Sequence, residues 1–151
     1  MSKEMTPTAR WWLEGVLARL GVPDRQRQDC ITSATLNLDQ VSVGFVQPAG
    51  GDESSLVARA VVADVPPPGQ CEPLYEMVLE VQAILCGPHA PVLGLDWPAR
   101  RLLVSCSLDT SNLGADDAVA ILTSMHQMAI QWREAIAKMS TAHAGSQPRQ
   151  A

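Results

Sequence analysis

Four cysteines and three histidines are the side chains of this 151-residue chain best suited to hold a metal or carry a nucleophile. Their spacing argues against both roles. Cys30, Cys71, Cys86 and Cys106 include no CxxC pair, and Cys86 and Cys106 lie in apolar stretches. His89, His126 and His143 are scattered, none of them four residues from another. The expectation is a set of reduced, mostly buried thiols. Asp116 and Asp117 are adjacent carboxylates, but at a helix start such acids serve the positive end of the helix dipole. His126 borders an apolar helical stripe and reads as a half-buried imidazole, while Arg100-Arg101 reads as a solvated hairpin turn. An enzyme would have to bring His126 together with Asp116 or Cys106 in one polar pocket. The phosphate cradle GxxxxGK[ST], the dinucleotide loop GxGxxG and the nucleophile elbow GxSxG are all missing. No catalytic residue, cofactor or metal is therefore assigned, and the chain is read as a protein that works through its surface.

Composition narrows the field further. The chain is 46% hydrophobic and 18% charged, enough apolar content for one core and too few charges for wholesale disorder. Eleven basic against sixteen acidic residues give a formal charge of -5, which argues against a grip on nucleic acid through phosphates. No apolar run approaches the roughly 20 residues that span a bilayer. Residues 1–7 lack the apolar stretch of a secretory signal, so a cytoplasmic location is expected.

The elements follow from hydrophobic period. Thr6-Pro7 is a hydroxyl cap followed by proline at the first helical position, and Leu13, Val16, Leu17 and Leu20 recur at helical spacing up to Gly21. This predicts a helix over Pro7 to Leu20. Trp12 flanks its leucine stripe, whereas Trp11 points nearly opposite, beside Gly15 and Ala18. An aromatic on that face needs a surface to lie against, whether a loop of the same chain or a partner. Leu36 and Leu38, then Val41, Val43 and Phe45, alternate with polar or small residues as one bent strand or two short ones. A turn at Pro48 to Asp52 leads into a valine-rich strand from Leu56 to Val65, stopped by Pro66-Pro67-Pro68-Gly69.

The next predicted helix, Glu72 to Leu85, is unusually apolar. Leu74, Met77, Val78, Val81, Ile84 and Leu85 make one face, which Tyr75, Leu79 and Cys86 widen, with Gln82 the only polar interruption. The arc covers about 220° of the wheel, where a surface helix needs about 100°. Such a helix is either a subunit interface or a central helix enclosed within the monomer. Val92 to Leu95 and Leu102 to Leu108 then form a hairpin around Asp96-Trp97-Pro98-Ala99. A long helix from Ala115 to Met139 carries Ile121, Leu122, Met125, Ala129, Trp132, Ile136 and Met139 along one stripe. Residues 1–139 are expected to form one domain and 140–151 a flexible C-terminal tail. The order helix, three strands, helix, two strands, helix is an α+β arrangement, with a twisted antiparallel sheet packed by helices.

From Cys71 onward the sequence resembles a known family. A helix ends in Gly87-Pro88, a short strand reads Val92-Leu93-Gly94-Leu95-Asp96, and its partner runs Arg101-Leu102-Leu103-Val104. Leu108-Asp109 and Leu113 then lead into a long helix bearing Trp132-Arg133-Glu134. This resembles the class I type III secretion chaperones of the CesT/Tir-chaperone kind, small acidic cytosolic bacterial proteins of α-β-β-β-α-β-β-α order. The resemblance implies a homodimer, with the second helix and the neighbouring strands of the second hairpin at the interface, through Leu74, Tyr75, Val78, Leu79, Gln82 and Cys86. It also implies nucleotide-free binding of the N-terminal segment of a secreted effector, kept soluble and handed to the secretion apparatus. Trp11, Trp12, Val41, Val43 and Phe45 are the candidate effector-binding residues. A regulatory protein of the same fold, sequestering a secretion regulator or another chaperone, would use the same surfaces.

Overall fold

A computed structural model describes residues 4–145. The first helix, α1 (Pro7–Arg19), starts as its sequence requires. The Thr6 hydroxyl accepts from the Ala9 amide at 3.3 Å, Pro7 opens the first turn, and Gly21 turns the chain with φ +81°. A short helix absent from the sequence reading follows: α2 (Asp24–Ser33). Its residues show no apolar stripe, and only Cys30 among them is buried, so periodicity had nothing to detect.

The strands are β1 (Thr35–Leu38), β2 (Val41–Val46), β3 (Ser55–Asp64), β4 (Val92–Asp96) and β5 (Arg101–Asp109). The stretch expected as one bent strand or two is two, reversed at Asp39, whose φ is +51°. All pairings are antiparallel in the order β1-β2-β3-β5-β4. β3 and β4 therefore run parallel on either side of β5, and helix α3 (Glu72–Ile84) is the crossover between them. The last helix, α4 (Ala115–Ala144), continues past Met139, so residues 140–144 are helical where a tail was expected. Residues 146–151 of that expected tail lie outside the described residues.

One face of the sheet is the core wall. Leu36, Val43, Ala58, Ala60, Leu102 and Val104 point inward and are almost wholly buried. Against them lie Leu13, Val16 and Leu17 of α1 and Leu122, Met125, Ala129 and Trp132 of α4. Pairing of β3 with β5 slips between Val61 and Ala63, a bulge that turns carbonyls out of the ladder. Arg133 answers it from α4, donating through Nε to Val62 O at 2.9 Å and through Nη2 to Val61 O at 3.3 Å. Its Nη1 reaches Gln40 O at 2.7 Å in the β1–β2 turn. Buried Gln47 makes a similar tie, accepting from the Thr6 amide at 2.9 Å and donating to Glu53 O at 2.7 Å.

Candidate functional site

The residues first suspected of chemistry are dispersed. Cys30, Cys71 and Cys106 are buried, and burial pushes the Cys30 and Cys106 thiols up to about 11. The Cys71 thiol donates to the carbonyls of Pro66 and Pro67 at 3.1 and 3.3 Å. Cys86 alone is exposed. In the folded protein Cys86 is therefore expected to label first with Ellman's reagent at pH 8, and the other three only on unfolding. Fast labelling of Cys30 or Cys106 would contradict the packing described above.

His126 sits beside Asp39, Nε2 to Oδ2 3.7 Å, with Nε2 buried and without a hydrogen-bond partner. Asp116 pairs instead with Arg19 at 3.5 Å. Ten residues along α4 separate it from His126, about 15 Å at the helical rise. His89 lies near Ser107 O at 3.4 Å, and the side chain of His143 lies outside the described residues. Among the described residues, no three histidine, cysteine or acidic side chains could share a metal ion. Arg100 is less solvated than expected: it donates to Pro66 O at 2.9 Å and stacks over Trp97 at 5.3 Å.

What the fold does assemble is uncovered apolar surface, in two places. The first surrounds α1. Trp12 is half-buried, and its indole Nε1 donates to Leu113 O at 3.0 Å, fixing the ring to the turn before α4. That turn is itself tied by side-chain hydrogen bonds. The Asp109 carboxylate accepts from the Ser111 hydroxyl at 2.6 Å and the Asn112 amide at 2.7 Å, which holds its pKa down at about 2. Trp11 is 77% exposed. It stands over a groove of about 500 Å³ lined also by Trp12, Gly15, Ala18, Arg27 and Leu113. Arg27 donates to Val22 O at 3.2 Å and pairs with Asp24, while its Nε is buried without a partner.

Val41, Val43 and Phe45, grouped with the tryptophans by the sequence reading, lie elsewhere. They are buried at 1%, 0% and 3% exposure, on a strand flanked by β1 and β3, and offer neither side chains nor a free edge. Alternation along the strand was read correctly, but alternation alone does not say which face is inward.

The second surface is α3 with β4. Of the six exposed large hydrophobic residues among those described, five lie here: Leu79, Ile84, Val92, Leu95 and Trp97. Leu79 is 69% and Ile84 78% exposed. Leu74, expected at an interface, is fully buried in its own subunit and leaves that list. Tyr75 and Val78 are half-buried against the core. Gln82 is occupied: its Oε1 accepts from the Leu93 amide at 2.8 Å, closing part of the free edge of β4. At the opposite edge Gln26 donates to Asn37 O at 3.0 Å on β1. The second helix and the second-hairpin strands were expected at the interface, but Ile84, Val92, Leu95 and Trp97 were not among the residues named for it. Their signal was Trp97 in a short turn and a β4 strand with apolar residues on both faces.

The fold is that of type III secretion chaperones. No family model and no curated relative matches the sequence. Among solved structures, a chain of the ExsC–ExsE complex matches with TM-score 0.60 at 19% identity, over 87% of this chain and 96% of that one. A chain from the Yersinia pestis type III secretion chaperone SycH in complex with a stable fragment of YscM2 matches with TM-score 0.58 at 18% identity, over 82% and 98%. A chain of the HopA1–SchA chaperone–effector complex matches with TM-score 0.59 at 14% identity, over 84% and 94%. No helix among the described residues is long and apolar enough to cross a membrane.

Proposed function

We propose that this protein is a non-enzymatic type III secretion chaperone: a cytoplasmic homodimer that binds the N-terminal segment of a secreted protein and keeps it unfolded and soluble. The observation that carries the reading is the apolar surface a single subunit leaves uncovered, on a fold shared with proteins solved in complex with effectors or other partners. The α3–β4 surface suits a second copy, because exposed apolar patches mark interaction sites and a two-fold interface sets the same patch of each subunit against the other. The α1 groove suits cargo. Trp11 offers a broad contact area with few rotors to fix, over a floor already held by Trp12 and Leu113. A segment that stays unfolded loses ordering entropy on binding, so it needs a long contact, and a dimer doubles the path. Nothing in that scheme calls for a nucleotide.

Co-expression with each secreted protein encoded beside this gene tests the reading. At least one is expected to remain soluble in complex with the chain, with its N-terminal segment protected and its remaining domains unaffected. Failure to retain any of them would overturn it.

A further inference from the structure

Among the described residues, no element covers the second face of the sheet. Inward residues of β2, β3 and β5 are buried, whereas outward Val46, Val57, Val61 and Leu103 are only half-buried. In the middle of these uncharged residues stands Arg59, exposed on the central strand β3. Val57 and Val61 flank it along its own strand, and Gly44 and Ser105 are its neighbours on β2 and β5. Among the described residues the Arg59 guanidinium has no ion pair, hydrogen bond or ring contact, although the chain holds sixteen carboxylates.

The neighbouring glycine adds to this. Glycine inside a strand weakens it and often marks a close approach by another chain. Gly44 has no positive φ, and a Cβ there would meet only Arg59 O at 3.9 Å, an ordinary contact. Neither backbone strain nor crowding requires glycine at this position. Its effect is to leave the flank of Arg59 open.

We propose that this face binds a segment of the secreted partner in which one aspartate or glutamate stands between apolar residues two positions before and two after it. This rests on the reading of the chain as a binder of unfolded secreted-protein segments. Alternate residues of an extended chain are about 6.6–6.8 Å apart, the same spacing that separates Val57, Arg59 and Val61 along β3. A segment lying along β3 thus places its two apolar side chains on the valines and its carboxylate on the guanidinium, where charge-assisted bonds form. An exposed pair of this kind contributes little, but the flanking apolar contacts remove water from it. A segment with a neutral or basic residue at the centre would instead cover an unpaired cation, so Arg59 selects chiefly by rejection.

The test is a yeast-displayed library of random twelve-residue peptides sorted on the full chain. Binders are expected to be enriched in an acid with apolar residues at both second neighbours, and to lose at least tenfold in affinity on Arg59→Glu. Changing the peptide acid to lysine is expected to restore binding to that variant, and Arg59→Gln to give a smaller loss. Because Arg59 is exposed, both variants should unfold at the wild-type denaturant midpoint. A library yielding no binders, or binders without a central acid, would overturn the proposal. So would peptides indifferent to Arg59→Glu but lost on Trp11→Ala, which place binding in the α1 groove and leave the chaperone reading standing. A fall in sedimenting mass on Arg59→Glu would assign the face to a second copy and overturn it too. Failure of the chaperone reading itself is read separately, in the co-expression experiment.

Discussion

Leu79→Asp is expected to turn the proposed dimer into a monomer that remains folded. Leu79 is 69% exposed in the single subunit, so its own core does not depend on it. In a two-fold interface through α3 the same residue is covered twice, once from each copy. An aspartate there would bury an unpaired carboxylate, at a cost of several kcal/mol for each buried charge. Even about 3 kcal/mol is roughly a hundredfold in dissociation constant, at 1.4 kcal/mol per tenfold. Sedimentation velocity over a concentration series is expected to show a single species near 16 kDa, with the circular dichroism of the wild type. Val78→Asp is a poorer probe, because Val78 also packs on its own core and its loss would mix unfolding with dissociation. If Leu79→Asp still sedimented as a dimer, the subunits would have to meet elsewhere.

Arg133→Met is expected to cost about 2–4 kcal/mol of folding stability, since hydrogen bonds from a charged donor contribute about 1.5–3 kcal/mol and an orphaned buried carbonyl costs about 1–3. The substitution keeps a long apolar stem and removes only the three donors that hold Val61, Val62 and Gln40. Two of those acceptors lie at the bulge of β3, where the ladder has slipped and cannot take them up. The third fastens the β1–β2 turn to α4, so the loss would also loosen the far end of the sheet. Urea unfolding should show a lower midpoint at an unchanged slope. A shift within 0.5 kcal/mol, the usual range for surface substitutions, would mean that water replaces the guanidinium without penalty.

Much of this was legible in the sequence, and the exceptions have physical causes. Thr6-Pro7, the alternation from Leu36 to Phe45 and the stripe from Ile121 to Met139 each reported a local pattern, and the corresponding elements formed. Helix α2 left no such pattern. It packs through Cys30 with Ile31 beside it, and its remaining residues are polar, so only helix propensity and Asp24 in the first turn after Pro23 marked it. The wide apolar arc of α3 left an interface and an enclosed helix both open, and the wheel could not say which part turns inward. Leu74 turns inward, while Leu79 and Ile84 do not. The same ambiguity put Val41, Val43 and Phe45 on a surface they do not reach. Arg59 left no signal of its own, because a single arginine in a valine strand has meaning only once its neighbours across β2 and β5 are known.

Two copies of this chain are proposed to hold one unfolded segment of a secreted protein. The mass of the intact complex, measured by native mass spectrometry after co-expression with a neighbouring secreted protein, tests it most directly. The expected mass is that of two 16.2 kDa chains plus one partner. Trimming by a protease should remove the partner's folded domains and leave an N-terminal segment bound. A one-to-one complex, or one that survives only with a folded partner domain, would contradict the account.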